Sequence, residues 1–579
     1  MPYAGPMELP DLPVTEALPA LTAALRQGSN AVLIAPPGAG KTTLVPLVLL
    51  HEPWAAGQKI LVLEPRRVAA RAAARRMADL IGEAGPGGTI GLATRLDRAV
   101  SARTRVEVIT EGLLVRRLQS DPGLEGVAAV LFDEAHERNL DTDLALALCL
   151  DLQRGLRPEL RLLAMSATID GAAFAGLLAQ PAAGPPTGVP AVAHATGILA
   201  VAHATGIPAV AHATGIPAVA HATGIPAVAH ATGIPAVAHA TGIPAVAHAT
   251  DAPIISSLGR AWPVAQEYRA RDLTDPRDLP EAMAGAIRTA LREHPGDLLA
   301  FLPGWGEIRR TAERLAGIAA DVLPLHGEMP PAEQDRALNP NPGPNPRRKV
   351  VLATSIAETS LTVPGVRIVV DGGFRRTPRL DPGSGLARLV TVRISKAAAE
   401  QRAGRAGRTA PGVAVRLWTD ALQRGLAPAD RPEILETELS GLALDLAAWG
   451  ATPAQLAWLD PPPAGALAAA HALLANLDAL DAEGRITAIG QRMARLGTHP
   501  RLARMLAAAA TEGERALAAD LAALLEERDP IRGRDAPSDI QLRLDLLRGG
   551  EGLAAAARGS RAADRPLDAD RATLQRIGR

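Results

Sequence analysis

The sequence predicts an α/β protein with two strand-forming stretches, each suited to a parallel sheet, followed by a helical region. Three observations carry this. Short runs rich in Val, Leu and Ile alternate with helical stretches between 28 and 168 and again after 251, and runs apolar on both faces suit buried parallel strands. Strand–helix alternation marks an α/β layer fold, with ligands expected beyond the carboxyl ends of the strands. From about Pro428 the chain becomes Ala- and Leu-rich with helical spacing.

In chain order, the first stretch is expected to form strands at 31–35, 60–64, 106–110, 127–132 and 162–165, each bounded by polar, Gly or Pro residues. The second stretch offers 298–302, 322–325, 350–353, 367–370 and 413–417. Two strand-like runs between 369 and 392 flank Asp-Pro-Gly-Ser-Gly at 381–385, which reads as a long β-hairpin. Gly-Arg-Ile-Thr at 484–487 signals a short strand and turn, and helices run on from 493 towards Arg579. The expected domains are 1–180, an insertion at 181–251, 252–428, 429–500 and 501–579.

The insertion is a repeat. The unit Ile-Pro-Ala-Val-Ala-His-Ala-Thr-Gly recurs every nine residues in seven copies from Val189, with histidine at 194, 203, 212, 221, 230, 239 and 248. Near-identical copies favour a flexible, functionally silent expansion over an ordered β-solenoid or a metal-binding array. Proline and glycine in nearly every unit exclude a continuous helix.

Composition sets bounds on function. At 47% hydrophobic and 21% charged residues the chain suits a soluble globular protein, and with 2% aromatics its cores must be aliphatic. Formal net charge is zero, so any polyanion must be met by a local patch. Four lysines, Lys41, Lys59, Lys349 and Lys396, leave nearly all positive charge to arginine. Cys149 is the only cysteine, which excludes an intrachain disulfide and a zinc site of several thiolates and fits a reducing cytosol. The first basic residue is Arg26 and no apolar run approaches the ~20 residues that span a bilayer. A cytoplasmic protein with no membrane partner is expected.

Four motifs carry chemistry. Ala-Pro-Pro-Gly-Ala-Gly-Lys-Thr at 35–42 follows a strand and opens a helix, the order a phosphate-binding loop needs. Gly38, Ala39 and Gly40 turn backbone N–H groups towards phosphate oxygens, and the helix that carries Lys41, Thr42 and Thr43 presents its positive end to the same anion. Lys41 reaches the β and γ phosphates and the Thr42 hydroxyl holds Mg²⁺. The strict pattern has glycine where Ala35 stands, at the strand end away from the phosphates. Asp-Glu-Ala-His at 133–136 follows another strand, placing Asp133 for Mg²⁺ and Glu134 to accept a proton from an attacking water. An isolated acidic pair is usually solvated surface; the upstream loop reverses that reading. Ser166 and Thr168, in Ser-Ala-Thr at 166–168, can bond towards the acidic pair. Gln-Arg-Ala-Gly-Arg-Ala-Gly-Arg at 401–408 places Arg402, Arg405 and Arg408 three apart, on one face if helical. Two glycines there weaken a helix by about 1 kcal/mol each, so close approach of something bulky is the reason to keep them.

The set resembles the DEAH-box group of superfamily 2 helicases, and within it the bacterial HrpB type. Supporting segments are Glu-Pro-Arg-Arg-Val-Ala-Ala at 64–70, Thr-Glu-Gly at 110–112, Phe-Leu-Pro-Gly at 301–304, Leu-His-Gly at 325–327 and Ala-Thr-Ser-Ile-Ala-Glu-Thr-Ser-Leu at 353–361. The resemblance implies RecA-like lobes at 1–180 and 252–428 with ATP between them, a winged-helix-like domain at 429–500 and the start of a helical ratchet-like domain at 501–579. It implies an ATP hydrolase that moves along RNA or another single strand with little base specificity. Arg66, Arg67 and Thr110 of the first lobe and Thr354 of the second would touch nucleic-acid phosphates. Gln401, Arg405 and Arg408 would face the γ-phosphate, His136 would relay nucleotide state, Ser166 and Thr168 would couple it to motion, and the hairpin would separate strands. Ser355 stands where the group usually has asparagine, and the family pattern continues beyond Arg579.

Overall fold

The computed structural model describes residues 10–179 except 96 and 168–170, the strands of the repeat between 191 and 248, residues 251–548 except 258–261, 274, 328, 342–346, 359–362, 382–385, 409, 528 and 533–536, and residues 568–569. The chain divides into two compact units, 1–437 with 456–461, and 438–455 with 462–579. Among the described residues no helix is long and apolar enough to cross a membrane.

Outside the repeat, the first unit holds two mainly parallel sheets. In chain order its first half runs α1 (Leu18–Gln27), β1 (Asn30–Ile34), α2 (Lys41–Leu49), β2 (Lys59–Leu63), α3 (Arg67–Leu80), β3 (Ile90–Ala93), β4 (Arg98–Ala99), β5 (Val106–Ile109), α4 (Glu111–Ser120), β6 (Val127–Phe132), α5 (Leu140–Gly155), β7 (Arg161–Ser166), α6 (Gly171–Leu177) and, after the repeat, β8 (Ile254–Ser256). The sheet order is β8-β1-β7-β6-β2-β5-β3-β4, with only the β3–β4 pair antiparallel. The central strands are buried along their whole length, as β6 shows, which is why they read as unbroken apolar runs. Leu21, Leu25, Leu33, Val62 and Leu131 belong to one buried cluster with the helices that cover this sheet.

The second half runs β9 (Val264–Tyr268), α7 (Leu279–Glu293), β10 (Asp297–Phe301), α8 (Trp305–Arg314), β11 (Asp321–Leu325), α9 (Pro331–Leu338), β12 (Lys349–Ala353), β13 (Val366–Asp371), the hairpin β14 (Phe374–Asp381) and β15 (Leu386–Arg393), α10 (Lys396–Ala403), β16 (Gly412–Arg416) and α11 (Asp420–Gly425). Its parallel sheet is ordered β9-β16-β13-β10-β12-β11. The hairpin is regular in register from Phe374↔Arg393 to Asp381↔Leu386, and its tip lies outside the described residues.

Two expectations are corrected. The repeat, expected to be flexible, forms strands in two parallel sheets of four and three strands. Each strand pairs with the one 18 residues on, as in Val210↔Val228 and Val219↔Val237, so successive units alternate between the sheets. This is a solenoid-like arrangement, in which each unit's strand bonds to that of the second unit along. Second, the domain boundary at 252 falls inside the first sheet. Residues 254–256 return to pair with β1, so the repeat is an insertion within the first lobe and not a linker after it. On either side of it, Ala252 N donates to Ala175 O of α6 at 3.0 Å, and its described strands pair only with one another. Excising 189–250 is therefore expected to leave ATPase turnover near wild type. Loss of turnover in a folded excision variant would contradict this.

The second unit is helical: α12 (Ser440–Trp449), α13 (Ala464–Asn476), α14 (Ala488–Leu496), α15 (Pro500–Ala508), α16 (Glu512–Glu526) and α17 (Ile540–Leu547). The turn signal at 484–487 appears as a bridge between Leu480 and Ile486. Gly497, at φ +59°, ends α14 in the left-handed region, and Pro500 opens α15. Thr511 and Glu514 form a capping box on α16.

Candidate active site

The first-lobe groups of this site stand at the carboxyl ends of parallel strands, while Gln401, Arg405 and Arg408 lie on α10 and the 3-10 turn that precedes β16. β1 and β6 are separated only by β7, so the loops leaving them start roughly 10 Å apart. Between β1 and α2, Gly38 and Gly40 have φ of +83° and +94°, a region that costs other residues about 1–2 kcal/mol. Space is tight as well. A Cβ on Gly40 would lie 2.8 Å from Leu12 Cδ1, and one on Gly38 would lie 3.2 Å from Arg408 Cζ. Packing thus crowds Gly40 from behind the loop, while the guanidinium of Arg408 from the second lobe lies in front of Gly38.

The cationic and acidic groups meet here. Lys41 Nζ donates to Ala35 O at 2.7 Å, folded back on the strand end. Thr43 Oγ1 donates to Gly40 O at 3.4 Å. The Thr42 hydroxyl donates to the Asp133 carboxylate, joining the loops after β1 and β6. Two hard oxygen donors in contact suit Mg²⁺, which takes one or two protein oxygens and fills the rest of its octahedron with phosphate and water. Asp133 and Glu134 are buried. Burial and the neighbouring Glu134 push the Asp133 carboxyl up. Burial also opposes ionisation of Glu134, but Lys41, His136, Arg405 and Arg66 outweigh it and hold that carboxyl below its usual range. Glu134 has φ +48°, strain of about 1–3 kcal/mol of the kind found where a side chain must be aimed.

His136 bridges the lobes. Its Nδ1 accepts from Ala167 N at 3.3 Å, and its Nε2 lies 2.8 Å from the Gln401 side-chain amide. With Nδ1 accepting, the proton belongs on Nε2, and the Gln401 amide must present its oxygen. Ser166 ends β7 and its carbonyl accepts from Ala35 N at 3.0 Å. Thr168 lies outside the described residues.

The three arginines do not share a face. α10 ends at Ala403 and Gly404–Gly407 form a 3-10 turn, so the phase changes after Arg402. Arg405 donates to Glu358 O, while burial and neighbouring Arg408 lower its pKa. Burial pushes Arg408 down to about 10 against the pull of Glu134. Gly407 has no room for a Cβ, which would lie 2.5 Å from Trp262 O. Arg402 turns inward, 3.0 Å from Glu358 and 2.9 Å from Asp371. Burial opposes its charge, but Asp371 and Glu358 more than compensate and raise its pKa. Removing one partner of so buried a cluster costs about 3–5 kcal/mol. Sequence reading missed Glu358 and Asp371. Glu358 stands inside a recognised motif, and Asp371 ends an apolar strand; a lone acid there is the signal that was available.

The residues expected on nucleic acid lie along the same strand ends. Thr110 follows β5 and Thr354 follows β12, and neither hydroxyl caps the helical turn it precedes. Arg66 bonds across the lobes to Ser355 O and pairs with Glu137 at 3.1 Å. Arg67 opens α3, half-buried. Beside Arg66 is a cleft of about 340 Å³ lined also by Glu111, Glu137, Asp141 and Glu433. Burial raises Glu111 to about 8. Its folded pKa lies above the unfolded value, so the native state holds a proton that the unfolded chain lacks between about pH 4.5 and 8, and stability falls as pH rises through that window. Glu111→Gln keeps the bond from Thr142 and is expected to flatten the slope. An unchanged slope in urea melts at pH 5 and 8.5 would exclude Glu111 as its source. A larger hollow of about 1060 Å³, lined by Leu315, Asp321 and Arg336, is remote from these groups.

Comparison with known proteins gives the same order of parts. Three family models match: DEAD/DEAH box helicase at residues 15–174, Helicase conserved C-terminal domain at 281–410, and Helicase associated domain (HA2), winged-helix, at 470–498. The chain is 42% identical over 520 residues to the ATP-dependent RNA helicase HrpB of Escherichia coli (strain K12), covering 89% of this chain and 55% of that protein. It is 31% identical over 510 residues to the pre-mRNA-splicing factor ATP-dependent RNA helicase prp22 of Schizosaccharomyces pombe (strain 972 / ATCC 24843), covering 86% and 37%. The crystal structure of the Escherichia coli DEAH/RHA helicase HrpB matches with a TM-score of 0.74 at 39% identity, covering 98% of this chain and 60% of that one. The chain thus spans about half the length of the first curated relative and just over a third of the second.

Proposed function

This chain belongs to the DEAH-box helicases of the HrpB type, and we propose that it hydrolyses ATP in the crevice between its two parallel-sheet lobes and uses lobe movement to travel along and unwind RNA. The observation that carries this is Arg408 of the second lobe lying against Gly38 of the phosphate loop, 3.2 Å from where a Cβ would stand. A triphosphate on α2 therefore meets charge from both lobes at once. Lys41 leaves Ala35 O for the phosphates, and Thr42 with Asp133 holds Mg²⁺, which when bound neutralises charge on the β and γ oxygens. Glu134, kept ionised by its cationic neighbours, takes the proton of the attacking water. Arg405 and Arg408 stabilise charge spreading over the transferred phosphoryl group. Gln401 and His136 report its presence across the lobe boundary. The protein acts in the cytoplasm.

Arg66, Arg67, Thr110 and Thr354 offer phosphate contacts and no base-edge reading, which supports little base specificity. The test is ATPase activity with and without single-stranded RNA and DNA at two salt concentrations. RNA stimulation is expected, with an apparent affinity that falls linearly on a log–log salt plot. Arg67→Met is expected to lower that slope by about 0.7, the share of one phosphate on a single strand. Turnover that ignores nucleic acid would indicate a nucleotide switch, and absence of turnover a relic that only binds.

A further inference from the structure

We propose that Arg402 is the positioning residue that ties the ATP site to the β14–β15 hairpin, so that the two move as one body. The inference rests on the motor reading above and adds the route by which phosphate contact reaches the strand-separating element.

The geometry is two-sided. On the nucleotide side, Arg402 Nε donates to Glu358 Oε2 at 3.0 Å, and the backbone carbonyl of the same Glu358 accepts from Arg405. On the hairpin side, Arg402 Nη1 donates to Asp371 Oδ1 at 2.9 Å and to Phe374 O at 3.3 Å. Phe374 is the first residue of the hairpin and pairs with Arg393, the last. Arg393 stacks over the Phe374 ring at 4.0 Å and donates to Leu273 O at 3.0 Å. Asp371 also accepts from Gly373 N at 2.9 Å. The Arg402 guanidinium lies 4.9 Å from the Phe301 ring centroid, at the end of β10.

The covalent route is equally short. β15 ends at Arg393, Ser395 caps α10 by accepting from Ala398 N at 3.1 Å, and α10 carries Gln401 and Arg402. A guanidinium can grip both sides because its donors form a rigid planar fork, which the point charge of lysine cannot reproduce. When Arg405 engages a terminal phosphate, the Glu358 segment it holds is displaced. Arg402 passes that displacement to the root of the hairpin. Without the fork the two ends remain folded but move independently. This is a stated contact route between two elements, and only a measured coupling decides it.

The experiment places an environment-sensitive dye on the hairpin through Leu389→Cys, at a side chain 65% exposed. Cys149 is buried and burial raises its thiol pKa, so labelling is selective. The dye signal is followed on adding ADP–beryllium fluoride with Mg²⁺, at concentrations shown by separate titration to saturate each variant. The labelled parent is expected to respond without nucleic acid. Arg402→Lys and Asp371→Asn in that background are expected to bind nucleotide, melt as one transition and lose the response. Base pairs unwound per ATP should then fall about 5–150-fold, the range of site-to-site coupling. A hairpin response intact in both variants, or absent in the parent, overturns the proposal. So does a loss of unwinding matched by an equal loss of hydrolysis. A parent that responds but neither hydrolyses nor unwinds defeats the motor reading and leaves the coupling standing.

Discussion

Arg405→Ala is expected to bind ATP with near wild-type affinity and to hydrolyse it about 10³–10⁵-fold more slowly, the usual contribution of an arginine finger. The argument is one of charge and position. Arg405 is buried in the second lobe, yet it acts electrostatically on Glu134 of the first. Its charge is costly there, since burial and Arg408 both disfavour it. A terminal phosphoryl group, whose charge spreads over its oxygens during transfer, would add to the counter-charge that Glu134 and Glu358 supply. On the proposed reading, ground-state binding rests on Lys41 and the phosphate loop, so the loss is expected to fall on turnover. Equilibrium binding of labelled ATP, set beside single-turnover rates, checks this. A pure affinity defect, or normal turnover, would remove Arg405 from the transition state.

Glu134→Gln is expected to bind ATP at least as well as wild type and to turn it over about 10²–10⁴-fold more slowly, the range for a positioned general base. Glutamine keeps the volume and the backbone bond from Glu134 N to Asp133 at 2.9 Å. What it loses is basicity and a negative charge facing the phosphates. Rapid-quench measurement of bound ATP separates the two effects. Normal steady-state rates would show that water is activated by another group.

Most strands were legible before the fold was seen, and the reason is burial. The strand at 127–132 was expected within its observed limits, and β10, β12 and β13 differ by one residue at the ends. All are buried on both faces, so their residue types are constrained throughout. Two of the strands that sequence reading missed, β8 and β9, are edge strands, while β3 lies inside its sheet between β5 and β4. β9 exposes Ala265 and Gln266, β8 has three residues, and β3 is interrupted by Gly91. An edge strand packs on fewer neighbours, so its sequence carries less of the pattern. The repeat misled in the opposite direction: sameness of copies, read as absence of structure, is also what lets identical units stack.

The sequence by itself determined the chemistry available at each strand end. A glycine turn, Lys41, Thr42 and the Asp133–Glu134 pair are local signatures, because each demands particular residues at fixed spacing. Only the tertiary structure decided which distant groups meet. Three arginines spaced alike in sequence part company: Arg408 reaches Gly38, Arg405 holds the carbonyl of Glu358, and Arg402 turns into a buried acidic pair. No local pattern separates them, because the difference arises where α10 tightens into a 3-10 turn and the two sheets face each other. Contacts between lobes are set by packing over hundreds of residues, and that information is not written in any one segment.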